Sequence, residues 1–212
     1  MKGKEMNYME LLFGAILGWL ITRLASYFSK PKLTFKIDNG QLFQNGVGQY
    51  RFLSIRIINK PNNLFFKLIS FLFGKTNLNN AKAQINFSLP ENSKFTIKTI
   101  NNGRWATTKE PVDYSTGKVD YSQILMPSRD SIFVEEEGMV NIAIKKEDDK
   151  SFYAFNNESY DSRWWPLKPE FEINEKYLVV TLKLLADGDS YDFQCALVNS
   201  NKKLNNFYLK LL

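Results

Sequence analysis

A run from Tyr8 to Phe28, YMELLFGAILGWLITRLASYF, carries no charge between Leu11 and Thr22. As a helix it would be about 30 Å long, the thickness of a bilayer's hydrocarbon core, with Tyr8 and Tyr27 near the two interfaces. The sequence therefore predicts a membrane anchor over residues 1–31, with a transmembrane helix over about 8–28. Leu24-Ala25-Ser26 imitates a signal-peptidase site, but Arg23 inside the run and the run's length favour retention of the segment. Arg23 is tolerable near the end of the span, where its stem can reach the interface. Lys2 and Lys4 precede the run, while Arg23, Lys30, Lys32 and Lys36 end or follow it. The excess of Lys and Arg on the C-terminal side predicts an N-terminus outside and a cytoplasmic domain, as a single-pass protein of the cell membrane. Gly14, Gly18, Thr22 and Ser26 recur every fourth residue. They form a small-residue face suited to helix self-association, although glycine is also common in membrane helices generally.

Residues 32–212 are enough for one domain, and the chain's 44% hydrophobic and 15% aromatic content is ample for a core. The net charge of +6 falls to +3 once the residues up to and including Lys32 are set aside, because 23 basic then face 20 acidic residues. Half the basic excess is thus juxtamembrane, which fits orientation and anionic lipid better than nucleic acid. The 212 residues include no histidine and one cysteine. That removes Ser-His-Asp and Cys-His catalysis, histidine acid–base chemistry, and zinc or iron–sulfur sites built on His or Cys clusters. No cofactor, metal or catalytic residue is expected. Cys195, unable to form an internal disulfide, agrees with a cytoplasmic domain.

Period-two alternation dominates the rest. Strands are expected at 32–37, 50–59, 81–89, 95–100, 131–135, 139–145, 151–155, 177–186, 190–199 and 206–211. Asp38-Asn39-Gly40 and Asp187-Gly188-Asp189 mark turns, the latter a hairpin. Residues 109–130, with Pro111, Gly117 and Pro127, read as an irregular loop. Strands joined by short turns predict an all-β, immunoglobulin-like β-sandwich, with a β-barrel as the alternative.

One segment breaks the pattern. Leu64 to Lys75, LFFKLISFLFGK, is apolar nearly all round and too short to span a bilayer. It reads as a short helix that covers an end of the core, lies in the membrane interface, or binds a partner. In the interface reading Leu64, Phe65, Phe66, Phe71 and Phe73 enter lipid, and Lys67 reaches phosphates.

Among candidate binding residues, Arg104-Trp105 and Arg163-Trp164-Trp165 have the composition of an interaction hot spot and can stack on planar ligands. The same composition suits tryptophans that plug the ends of a sandwich with arginine over their faces. Asp187, Asp189 and Asp192 offer carboxylates to a cation, but Asp-Gly is also the favoured hairpin dipeptide. Cys195 alternates with core residues and reads as a small buried hydrophobe.

Leu53-x-Ile55-x-Ile57-x-Asn59, Ala81-x-Ala83, Arg104-Trp105, Trp164-Trp165 and Tyr177-x-Val179 with Phe193-x-Cys195-x-Leu197, behind one apolar helix, resemble uncharacterised prokaryotic membrane-anchored β-sandwich proteins. That resemblance implies a fold and no activity. The resulting expectation is a non-enzymatic binding module at the cytoplasmic membrane face. Its partners would be the bilayer, another copy through Gly14, Gly18 and Thr22, and a protein or small ligand. The alternative is a nucleotide-sensing membrane effector of a defence system, with Arg104, Trp105, Arg163 and Trp164 as ligand contacts.

Overall fold

Alternation along the chain becomes two antiparallel sheets whose inward rows share one core. The computed structural model describes residues 8–28, 30–40, 42–45, 48–61, 77–113, 116, 118–161 and 164–212. The first sheet runs in the order β1 (Lys32–Asp38), β3 (Gly48–Lys60), β9 (Glu137–Lys146), β10 (Phe152–Ala154), β11 (Glu172–Ile173), with β2 (Leu42–Asn45) also on β3. The second runs β14 (Phe207–Leu211), β13 (Asp189–Asn199), β12 (Tyr177–Ala186), β4 (Leu78–Leu89), β5 (Asn92–Gly103), with β8 (Arg129–Ile132) also on β4. A ribbon of β6 (Val112–Asp113) and β7 (Lys118–Val119) and the short helix α2 (Tyr121–Leu125) occupy the stretch expected to be an irregular loop. This is a sandwich of two separate sheets, and among the described residues they do not close into the alternative barrel.

The core follows from the pleat. Leu53, Ile55 and Ile57 of β3 and Val140, Ile142 and Ile144 of β9 are buried, as are Ala83, Ile85 and Phe87 of β4 and Leu178, Val180 and Leu182 of β12. Rings meet across the gap: Phe35 stacks on Phe193 at 5.1 Å, and Phe152 lies 5.3 Å from Phe207. The β12–β13 hairpin turns at Asp187 (φ +51°) and Gly188 (φ +83°), two consecutive left-handed residues as a tight twisted hairpin requires.

Along β3, β1 faces residues 54–60 and β2 faces 48–51. Asp38 lies opposite Ser54 and Leu42 opposite Arg51, so this edge carries one residue more than β3 between the two pairs, as in a β-bulge. Gly40 sits there at φ +60°, and a Cβ on it would stand 2.4 Å from the Phe52 carbonyl oxygen. The bulge turns Asn39 toward the second sheet, where its side chain bonds the backbone of Leu209 on β14.

Ahead of the sandwich, α1 (Tyr8–Phe28) is a 21-residue helix. Its described apolar side chains, up to Leu24, are bare: Leu12, Phe13 and Trp19 are each 60% exposed or more. The expected transmembrane span is not supported in its full form, because among the described residues no helix is long and apolar enough to cross a membrane. Glu10 and Arg23 bring charge inside each end of α1. Beyond the helix, Lys30 pairs with Asp189 at 2.7 Å, next to the β12–β13 turn. The expected apolar helix at 64–75, with Leu64, Phe65, Phe66, Lys67, Phe71 and Phe73, lies outside the described residues. The chain leaves the described part at Pro61, just past Lys60, which is paired with Lys32. That places its departure at the end of the sandwich where α1 joins.

Candidate functional site

With Leu53, Ile55 and Ile57 turned inward, β3 presents Phe52, Ser54 and Arg56 on the outer face of the first sheet. Met139 and Asn141 of β9 and Asp38 at the end of β1 stand beside them. The segment that follows β5 runs along the edge of β9 away from β3, joined to it by the Ala106 N–H to the Met139 carbonyl (2.8 Å) and the Asn141 N–H to the Arg104 carbonyl (2.9 Å). Together they wall an open cleft of about 730 Å³, with Asp38, Phe52, Arg56, Arg104, Glu110 and Asn141 among its lining.

Two arginines of opposite character share this cleft. Arg56 is partly exposed. It donates from Nη2 to Asp38 Oδ2 at 2.7 Å and from Nη1 to Glu137 Oε1 at 2.8 Å. The Arg56 bond and the Gly40 N–H, 2.9 Å from Asp38 Oδ1, hold the Asp38 carboxyl below its usual range. Arg104 is buried. It donates from Nη2 to Glu110 Oε2 at 2.7 Å and to the Thr108 carbonyl at 2.9 Å, and from Nη1 to Asn157 Oδ1 at 3.0 Å. Its guanidinium carbon lies 5.8 Å from the Phe155 ring centre. Glu110 also accepts from the Tyr160 hydroxyl, and burial pushes its carboxyl up while Arg104 opposes that rise. Ser54 donates to Asn141 at 2.9 Å on the floor. The cleft can bind through a bracketed guanidinium, an amide and apolar edges.

The residues picked from sequence divide. Trp105 is a core residue. Its side chain is fully buried, its backbone bridges to Val140, and its indole N–H donates to the Ala81 carbonyl at 3.1 Å on the opposite sheet. Gly138 leaves it room, since a Cβ there would come within 3.0 Å of the indole. Arg104 borders the cleft with its guanidinium committed to protein partners. Trp164 and Trp165 are half-buried and pack edge-on against Tyr50 at 4.6 and 5.1 Å. Arg163 lies outside the described residues. From Trp164 a chain of rings runs through Phe43, Phe52 and Phe155 to Arg104, joining the two sequence motifs along one face. Arg56, Asp38 and Asn141 were not singled out in sequence. The signal for Arg56 and Asn141 was polar residues alternating with a core row, which any solvated strand face shows, and Asp38 read only as the start of a turn.

Among the described residues Gly14 and Gly18 have no neighbour near their missing side chains, and Thr22 donates to the Gly18 carbonyl at 2.8 Å. Asp187 accepts from Asn79, Asp189 from Lys30 and Asp192 from Ser190, each within its own local contact. Among the described residues no acidic or cysteine side chains gather in a group able to hold a metal ion. Cys195 is buried, and burial alone pushes its thiol up to about 12. Comparison with protein-family models, with curated proteins and with solved structures finds no match for this chain.

Proposed function

We propose that this protein is a non-enzymatic binding module held at the cytoplasmic face of the cell membrane by α1, and that it receives a protein partner in the Arg56 cleft. The observation that carries the reading is the bare apolar surface of α1 beside strands whose inward apolar rows are buried between the sheets. Exposed apolar area of that extent is stable in lipid or against another protein and costly in water. The departure of the chain at Pro61 from the same end as α1 supports the interface reading of residues 64–75. The open faces of Gly14 and Gly18 support close approach of a second helix.

The cleft suits a polypeptide better than a small apolar ligand. It is open, and it mixes a guanidinium, carboxylates and an amide with the edges of Phe52 and Met139.

Cell fractionation tests the membrane part. The full chain is expected to sediment with membranes and resist alkaline carbonate, and Leu17→Arg with Ile21→Arg to release it; a freely soluble wild-type chain overturns the reading. For the cleft, a photo-crosslinking residue in place of Met139 is expected to give a discrete adduct in cells, lost with Arg56→Glu. The same probe at Gln194, on the outer face of the second sheet, is expected to give none. Equal adducts at both positions would remove the cleft as the partner site.

A further inference from the structure

The far end of the sandwich holds an arrangement the Arg56 cleft does not use. Lys145 of β9 is fully buried, yet its ammonium donates only to neutral acceptors, the Asn199 side-chain oxygen and the Asn201 carbonyl, with the Phe207 ring centre 5.8 Å away. Among the described residues no carboxylate lies within ion-pair distance of it. Asp149 is near enough to feel its charge without pairing. Burying an ammonium without a counter-charge is costly, and the usual remedies are a nearby anion or loss of the proton.

Directly over Asn199 and Asn201 lies a second cleft of about 450 Å³, lined by Lys150, Lys176 and Lys202 with Asn174 and Ser200, and by no acidic side chain. Asn199 organises it. Its side-chain N–H donates to the Lys150 carbonyl and its backbone N–H to the Lys176 carbonyl, both at 2.8 Å, while its oxygen takes the Lys145 ammonium. One buried asparagine therefore fixes two of the lysine-bearing walls relative to the buried cation. Among the described residues the ammonium groups of Lys150, Lys176 and Lys202 enter no ion pair.

We infer that this cleft is a binding site for a small phosphorylated ligand, whose oxyanion sits among Lys150, Lys176 and Lys202 and supplies the negative charge that Lys145 lacks. The volume exceeds that of a single phosphate and fits a small organic phosphate or a pyrophosphate. Lipid headgroups share the phosphate chemistry, but the cleft's position selects against them. Lys176 precedes β12, whose other end carries the turn that meets Lys30, and ten residues of strand separate the two ends by about 33 Å. The ligand is therefore soluble. The site is independent of the partner cleft, and only the exclusion of lipid rests on the proposed membrane reading.

The test uses the full chain in neutral detergent micelles, with inorganic pyrophosphate as probe and sodium chloride at matched ionic strength as control. Saturating pyrophosphate is expected to raise the melting temperature by about 5 °C over the control. Lys176→Ala with Lys202→Ala, two exposed changes, should weaken pyrophosphate binding at least about tenfold while leaving the ligand-free melting temperature unchanged. No shift over chloride, or a shift that survives the double variant, overturns the proposal. A second arm adds vesicles of phosphatidylglycerol and, separately, of phosphatidylcholine. Preferential binding to the anionic vesicles, lost in the double variant and without a pyrophosphate response, would assign the cleft to lipid and overturn the soluble-ligand proposal.

Discussion

The Asn39 side chain treats Leu209 as a neighbouring strand would: its Nδ2 donates to the Leu209 carbonyl at 3.1 Å, and the Leu209 N–H donates to its Oδ1 at 2.6 Å. One amide thereby completes the free edge of β14 and ties it to the bulged edge of the first sheet. Asn39→Ala should cost about 2 kcal/mol, the sum of two lost bonds and two backbone groups left on a partly covered edge. Urea denaturation at an unchanged slope would show it; a loss under about 0.5 kcal/mol would mean that water replaces the amide without cost.

Trp105 joins the sheets from inside. Trp105→Phe keeps an aromatic ring but removes the bond to the Ala81 carbonyl and leaves a void beside Gly138. The expected loss is about 2–3 kcal/mol, read from thermal or urea unfolding. A neutral result would mean the Ala81 carbonyl finds another donor.

Tyr50 predicts the opposite sign. Its ring is fully buried against Trp164 and Trp165, but among the described residues its hydroxyl has no hydrogen-bond partner, and burial, helped by Asp149, pushes it up to about 12. Tyr50→Phe keeps the ring contacts and deletes the unsatisfied group, so stability should rise by about 1 kcal/mol. Destabilisation would reveal a bond that the packing does not show.

Acid should reach the Asp38–Arg56 pair. The folded carboxyl lies below its ordinary 3.8, so its contribution is intact above that value and is lost as pH falls through it toward the lowered one. The stability gap between wild type and Asp38→Asn should therefore close as the pH drops below about 4. Both partners are partly exposed, so the gap at neutral pH should be no more than about 1 kcal/mol and should shrink in 1 M salt. A gap that is constant across this range would show that the carboxylate's charge is not what matters.

Lys145 should respond to base. Burial lowers its pKa from 10.5, so between the lowered value and 10.5 the unfolded chain holds the extra proton and folding gains as pH rises. The stability of wild type relative to Lys145→Met should improve from neutral pH toward about pH 10, measured without phosphate. Groups shared by both proteins cancel in the difference. A flat difference would mean that the Asn199 and Asn201 acceptors fully offset the burial.

Legibility in the sequence follows the same physics. Tyr177 to Ala186 and its partner after Asp187-Gly188 could be read closely, because one face is wholly buried and the turn chemistry is specific. β2 was missed: four residues with Leu42 and Phe43 both exposed give no alternation. Arg104 and Trp105 could be noticed but not placed. Whether a tryptophan faces water depends on Gly138 and Ala81, which lie far from it in the chain. The lysine-lined cleft left no local mark at all, since Lys145, Lys150, Lys176 and Lys202 come from three separate segments that meet around Asn199 and Asn201.

The length of β12 has an electrical consequence. Counterions damp a charged surface over about 8 Å at physiological ionic strength, a quarter of the distance from the Lys30–Asp189 contact to Lys176. If α1 holds that end at a bilayer as proposed, the field of the lipid headgroups is damped out before it reaches these lysines, and the proposed anion capture would answer to the surrounding solution alone.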